Sequence, residues 1–155
     1  YLTEFYDQLV PLDEETRFNA EFWNHLLEVR GEVAKAIEEL RREGKVGSSL
    51  ETKVTIYASD KLHEEVGALE DELRFVLLTS YAEVKPFAEK PAELAEHELE
   101  GERFAVKVEA LGDEYGKCVR CWHHREEVGK IEEHPELCHR CVENLTPEGE
   151  TRHYA

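Results

Sequence analysis

The sequence contains no methionine, and its only four cysteines all fall between residues 118 and 141. No uninterrupted apolar stretch reaches the ~20 residues a membrane helix requires, so a membrane-spanning helix is not expected. The opening residues carry no legible secretory signal, and the other 131 residues contain no cysteine. That distribution is a poor framework for a disulfide-stapled secreted domain. Basic residues are also scarce. Lys and Arg number 19 against 36 Asp and Glu, for a net charge of −17. Phosphate binding by the whole surface is therefore unfavourable, because it needs a positive field. Only residues 117–141 escape the acidity, where Lys117, Arg120, Arg125, Lys130 and Arg140 offset Glu126, Glu127, Glu132, Glu133 and Glu136. A chain that starts at Tyr1 and lacks methionine reads as a processed or excised piece of something longer.

What is present is organised. The 155 residues, 41% hydrophobic, are enough for one domain, or a small domain with appendages. Residues 1–19, with Pro11 and an acidic turn at 13–15, read as an irregular strap. From Asn19 to Arg42, Phe22, Leu26, Val29, Val33, Ile37 and Leu40 recur in steps of three and four, which places them on one helical face. Trp23 and Leu27 widen that stripe. Asn19 is the expected N-cap and Gly44 the stop. Arg41 and Arg42 read as a solvated face.

A strand is expected at 53–57, where Val54 and Ile56 alternate with polar neighbours. A short helix is expected at 60–72, capped by Ser59 or Asp60 and turning Leu62, Val66 and Leu69 inward. The apolar run Phe75-Val76-Leu77-Leu78 predicts a buried strand within 74–80. Residues 86–100 read as a polar connection, and 103–110 as a further strand with Phe104, Val106 and Val108 on one side. The fold class is α+β, with an N-terminal amphipathic helix, a small mixed sheet with a packed helix, and a C-terminal four-cysteine zinc ribbon. The expected organisation is 1–46, 47–112 and 113–155.

The cysteines carry the chemistry. Cys118 and Cys121 form one C-x-x-C pair, and Cys138 and Cys141 form a second. This is the spacing of a structural zinc site, with two short turns each presenting two thiolates to one tetrahedral ion. Four protein ligands leave no open position for water or substrate. Disulfides and another metal are the competing readings, and His123, His124, His134 or His139 could replace a cysteine. No nucleophilic triad, phosphate loop or paired-carboxylate site stands out, so no catalytic residue is assigned.

Two stretches resemble a known family. The first is Lys117-Cys118-Val119-Arg120-Cys121-Trp122-His123, Val128-Gly129 and 137–145 around Cys138-His139-Arg140-Cys141. It resembles the C-terminal zinc finger of bacterial isoleucyl-tRNA synthetases. The second is Phe22-Trp23, Val29-Arg30, Val33, Ala36, Glu38 and 46–51, which resembles the end of that family's anticodon-binding region. The resemblance implies the C-terminal part of a cytoplasmic, ATP- and Mg²⁺-dependent ligase, with one structural Zn²⁺. Its implied partners are isoleucine tRNA and the remaining synthetase domains. The nucleotide-binding signatures of that family are absent from this chain, so no catalytic centre is expected in it, and the isolated segment is expected to bind tRNA weakly or not at all.

The nucleic-acid-binding candidates are Arg120, Trp122, His123, His124, Arg125, Lys130, His139 and Arg140. Trp122 either stacks on an unpaired base or covers the metal cluster. Arg120 and Arg140 either meet phosphate or hydrogen-bond around the cysteines. Asn144 is expected to end a hairpin and Gly129 to take a positive φ. Two alternatives stand beside RNA binding: a purely structural docking tail of the same enzyme, and the four-cysteine finger that ends formamidopyrimidine-DNA glycosylases.

Overall fold

The computed structural model describes residues 16–154; the expected N-terminal strap therefore lies almost wholly outside the described residues. The first helix, α1 (Ala20–Arg42), starts where Asn19 Oδ1 accepts the Phe22 N–H at 2.9 Å. It ends where Gly44 adopts φ +71°. There the Gly44 N–H donates to the Arg41 carbonyl and the Lys45 N–H to the Leu40 carbonyl, each at 3.0 Å. These two bonds satisfy carbonyls that the last turn would leave orphaned. Phe22, Leu26, Val29, Val33 and Ile37 are buried as their spacing requires. Trp23 packs against the core, whereas Leu27 stays 53% exposed.

β1 (Thr52–Ala58) follows, buried along nearly all its length as a central strand of the sheet. α2 (Asp60–Gly67) turns Leu62 and Val66 inward, and a 3₁₀ turn at Glu70–Glu72 separates it from α3 (Leu73–Leu77). Ser59 precedes α2 without capping it through its side chain, since its hydroxyl bonds Glu102 and the Arg103 N–H instead.

Here the sequence expectation fails. The run at 74–80 is not a strand. Leu69, Leu73 and Leu77 repeat every four residues and bury one helical stripe, and the helix terminates at Leu78 with φ +58°. The strand lies farther on, at β2 (Tyr81–Pro86). The segment expected to be only a polar connection contains a 3₁₀ turn (Phe87–Glu89) and β3 (His97–Leu99), paired to β4 (Glu102–Ala110).

The sheet order is β2-β1-β4-β3. β1 and β2 run parallel, joined through α2 and α3, while β4 is antiparallel to β1 and β3. The sheet is thus mixed and the class α+β, as the sequence implies. α1, α2 and α3 pack on one face in a single core with Val54, Ile56 and Phe104. Beyond β4, the short hairpin β5 (Gly116–Lys117) and β6 (His124–Arg125) leads into the cysteine segment, which ends in α4 (His139–Glu143). No helix among the described residues is long and apolar enough to cross a membrane.

Candidate metal centre

Only the first cysteine pair sits on a hairpin. Between β5 and β6 the chain reverses, with the Cys118 N–H donating to the His123 carbonyl at 3.0 Å and the Trp122 N–H to the Cys118 carbonyl at 2.9 Å. The second pair opens a helix rather than a hairpin. Cys138 is the residue before α4 and Cys141 lies in its first turn, so both sulfurs face the same side. The halves are tied by Val119 N–H to the Glu136 carbonyl at 3.1 Å and Gly129 N–H to the Pro135 carbonyl at 2.7 Å. Gly129 takes φ +94°, a backbone region that other residues rarely enter.

The four sulfurs converge to within 4.8 Å of one another, and none is in a disulfide. Cys121 Sγ and Cys138 Sγ are 3.6 Å apart. A tetrahedron of Zn–S bonds near 2.3 Å has edges of roughly 3.8 Å, so the donor set fits Zn²⁺. Cys118, Cys138 and Cys141 are buried, while Cys121 is partly exposed. Burial opposes ionisation of all three buried thiols. It raises Cys138 to about 11 and pushes Cys141 higher still. At Cys118 the backbone N–H groups of Cys121, Cys138 and Arg120 overcome burial and bring the thiol down to about 6. A bound divalent cation would favour all four as thiolates. With four sulfur donors and no open position, the ion would supply cross-linking and no chemistry on a substrate.

Val128 and Leu137 pack against the sulfurs. Trp122, one of the candidates for that cover, points away instead and is 62% exposed, with Lys117 Nζ 5.3 Å from its ring centroid. Its φ is +66°, a strained value for a residue with a side chain. No histidine joins the quartet: His123 Nδ1 lies 3.3 Å from the Cys121 carbonyl, and His124 Nδ1 lies 3.3 Å from the Tyr115 carbonyl.

The structure divides the remaining sequence candidates into two sets. His123, His124, Arg125 and Arg140 face the body of the domain. His123 meets Phe75 edge-on, and burial together with Arg74, Arg140 and Arg125 holds its ring below the ordinary histidine range. The His124 N–H donates to Ser80 Oγ at 2.7 Å, and Arg125 Nη1 donates to the Ser80 carbonyl at 3.0 Å while lying over Tyr81. Arg140 pairs with Glu150 at 2.5 Å. Arg120, Trp122, Lys130 and His139 are exposed. Arg120 also donates to the Cys141 carbonyl at 3.2 Å, one of the bonds around the cysteines expected of it. Asn144 ends α4, not a hairpin, by donating to the Arg140 carbonyl and accepting the Glu150 N–H. Phe75 and Ser80, which seat the metal knob together with Glu150, had no local sequence signal because their partners His123, His124, Arg125 and Arg140 lie more than forty residues away.

A four-cysteine knob closing a small α+β domain defines a zinc-finger class of protein. Residues 116–144 match the family described as the zinc finger found in FPG and IleRS. Along its whole length the chain is similar to the C-terminal region of isoleucine–tRNA ligases. Identity is 47% over 155 residues to the Nitrosococcus oceani enzyme and 46% over 155 residues to that of a Shewanella species. It is 44% over 154 residues to the Pseudomonas putida enzyme. In each case the chain spans 16% of the relative's length.

Proposed function

We propose that the chain is the C-terminal tRNA-binding accessory segment of an isoleucine–tRNA ligase, in which one structural Zn²⁺ orders the tail. Activation of isoleucine with ATP and Mg²⁺ would belong to the parent enzyme's other domains, which would also be this segment's protein partners in the cytoplasm. The organisation into a terminal helix at 1–46, an α+β unit at 47–112 and a zinc segment at 113–155 is part of the same reading.

The observation that carries it is Trp122. A large aromatic held outward at φ +66°, 62% exposed and with Lys117 Nζ over its ring, does nothing for the core. Strain of this kind clusters at binding sites. Unpaired anticodon-loop bases stack on such rings, each stack contributing about 1–3 kcal/mol. Arg120, Lys130 and His139 are exposed on the same segment and available to phosphate. His123, His124, Arg125 and Arg140 are engaged in seating the knob, so their contribution is orientation.

The test is affinity of the parent enzyme for isoleucine tRNA across a salt series. Trp122→Ala should weaken binding by about 5–150-fold with the salt slope unchanged. Arg120→Gln should reduce the slope by about 1. Unchanged affinity and slope in both variants reject direct contact. That outcome would favour a second reading, a structural docking tail of the same enzyme, which the engaged basic residues and the net charge of −17 support.

A further inference from the structure

A cleft of roughly 300 Å³ separates the metal knob from the body, and Arg74, Phe75, Cys121, His123, Cys138 and Arg140 are among its lining residues. Arg74 belongs to α3, more than forty residues before the first cysteine, yet it is 7% exposed. Its guanidinium carbon lies 4.5 Å from the centre of the Phe75 ring. The same ring carries Arg140 at 4.9 Å and Arg152 at 4.8 Å. Three cations on one aromatic ring repel each other, and at Arg74 burial removes the water that would screen the charge. Burial, then Arg125, then Arg140 draw the Arg74 guanidinium down to about 10.

Such crowding requires counter-charge, and the carboxylates nearby supply little. Asp71 pairs with Arg74 but is 71% exposed, where solvent screens it. Glu150 is already shared between Arg140 at 2.5 Å and Arg152 at 2.6 Å. Of the other carboxylates on the wall, Glu70 and Glu143 are exposed, Glu127 pairs with Arg125, and Glu72 accepts the His153 and Tyr154 N–H groups. The sulfur quartet, two of whose members line the cleft, is a further anion here. Four thiolates around one divalent zinc are dianionic, whereas four thiols are neutral.

We propose that Arg74 is an outer-sphere positioning residue of the metal centre: its buried guanidinium is the counter-charge of the dianionic tetrathiolate, so that metal loading and docking of the knob on α3 are one coupled event. This rests on the zinc reading above. Because coupling is reciprocal, docking raises zinc affinity and zinc stabilises α3 and the start of β2. Partners of this kind are worth about 10–100-fold in metal affinity.

The test uses the full chain, first assayed for one zinc per molecule; absence of metal there would reject the zinc reading itself. Zinc affinity is then measured by competition with a chromophoric chelator. Arg74→Gln should weaken binding about 10–100-fold, Arg74→Lys should restore most of the loss, and Asp71→Asn should leave affinity unchanged or raised. An Arg74→Gln affinity equal to that of the starting protein overturns the proposal, as does Asp71→Asn weakening binding as much as Arg74→Gln. A measurement without a variant guards against misfolding. Hydrogen exchange of residues 73–80 should accelerate on zinc removal, and unchanged protection there overturns the coupling.

Discussion

His25 Nδ1 lies 2.7 Å from Glu65 Oε2, and the opposite ring nitrogen lies 3.1 Å from Glu100. Ionised carboxylates only accept, so the protonated imidazole, with both ring nitrogens donating, is the form that satisfies both contacts. One buried imidazolium thereby joins α1 to α2 and to the turn between β3 and β4. Burial opposes that charge, but the bonds to Glu65 and Glu100 prevail and raise the pKa above 6.5. A raised folded-state pKa gives stability that is complete below the unfolded value and is lost as pH rises through the folded one. Unfolding free energy should therefore fall from about pH 6.5 upward. His25→Gln should remove that component, as followed by urea denaturation at several pH values.

Asn19→Ala should cost about 1 kcal/mol, because the Phe22 N–H loses its partner at the start of α1. The check is a urea midpoint shift at constant m-value. Asn19→Gly should cost only a few tenths, since glycine itself is tolerated at that position.

Gly129→Ala should cost about 1–2 kcal/mol. No heavy atom lies within 4 Å of where the new Cβ would fall, so the whole effect comes from φ +94°. The Gly129 N–H bond to the Pro135 carbonyl links the halves of the knob. The loss should appear as faster hydrogen exchange in residues 116–145, with β1 and β4 unaffected.

Removing zinc with a chelator, or substituting Cys138→Ser, should melt residues 116–145 while the upstream sheet persists. A segment this short buries too little apolar surface to offset its chain entropy. Metal binding supplies the difference, with apparent values of about 10–16 kcal/mol for zinc-finger peptides. The upstream core of α1, β1, α2 and β4 contains none of the cysteines. Hydrogen exchange resolved by segment should lose protection in the knob and at the α3 edge only. Equal protection with and without metal would contradict the metal's folding role.

How much was legible depended on the reach of each interaction. α1 was readable because its cap, its stripe and its stop are local: Asn19, the steps of three and four, and Gly44. The sulfur quartet was readable for the same reason, as its spacing lies within residues 118–141. α3 was misread because Phe75-Val76-Leu77-Leu78 is apolar without a break. The repeat that decides it, Leu69-Leu73-Leu77, runs through three acidic residues at 70–72. β2 was missed because its inward residues are only Ala82 and Val84 and it ends at a proline, which suits an edge strand. The seating of the knob was not readable at all. Ser80 meets His124, and Arg74 lies beside the cysteines, only once the fold is complete.

Trp122 allows the strain at the exposed tip to be separated from its use. At φ +66° a side chain costs roughly 1–2 kcal/mol that glycine does not incur. Trp122→Ala keeps that cost and deletes the ring; Trp122→Gly deletes both. The glycine variant should therefore be more stable than the alanine variant by about 1 kcal/mol, measured by thermal unfolding of the zinc-loaded chain. Both should lose the same affinity for isoleucine tRNA when placed in the parent enzyme, because each lacks the ring that stacks. Equal stability would mean the turn relaxes without cost, and the outward tryptophan would then not be held under strain. Retained affinity in both variants would mean that the exposed ring is not the surface the RNA meets.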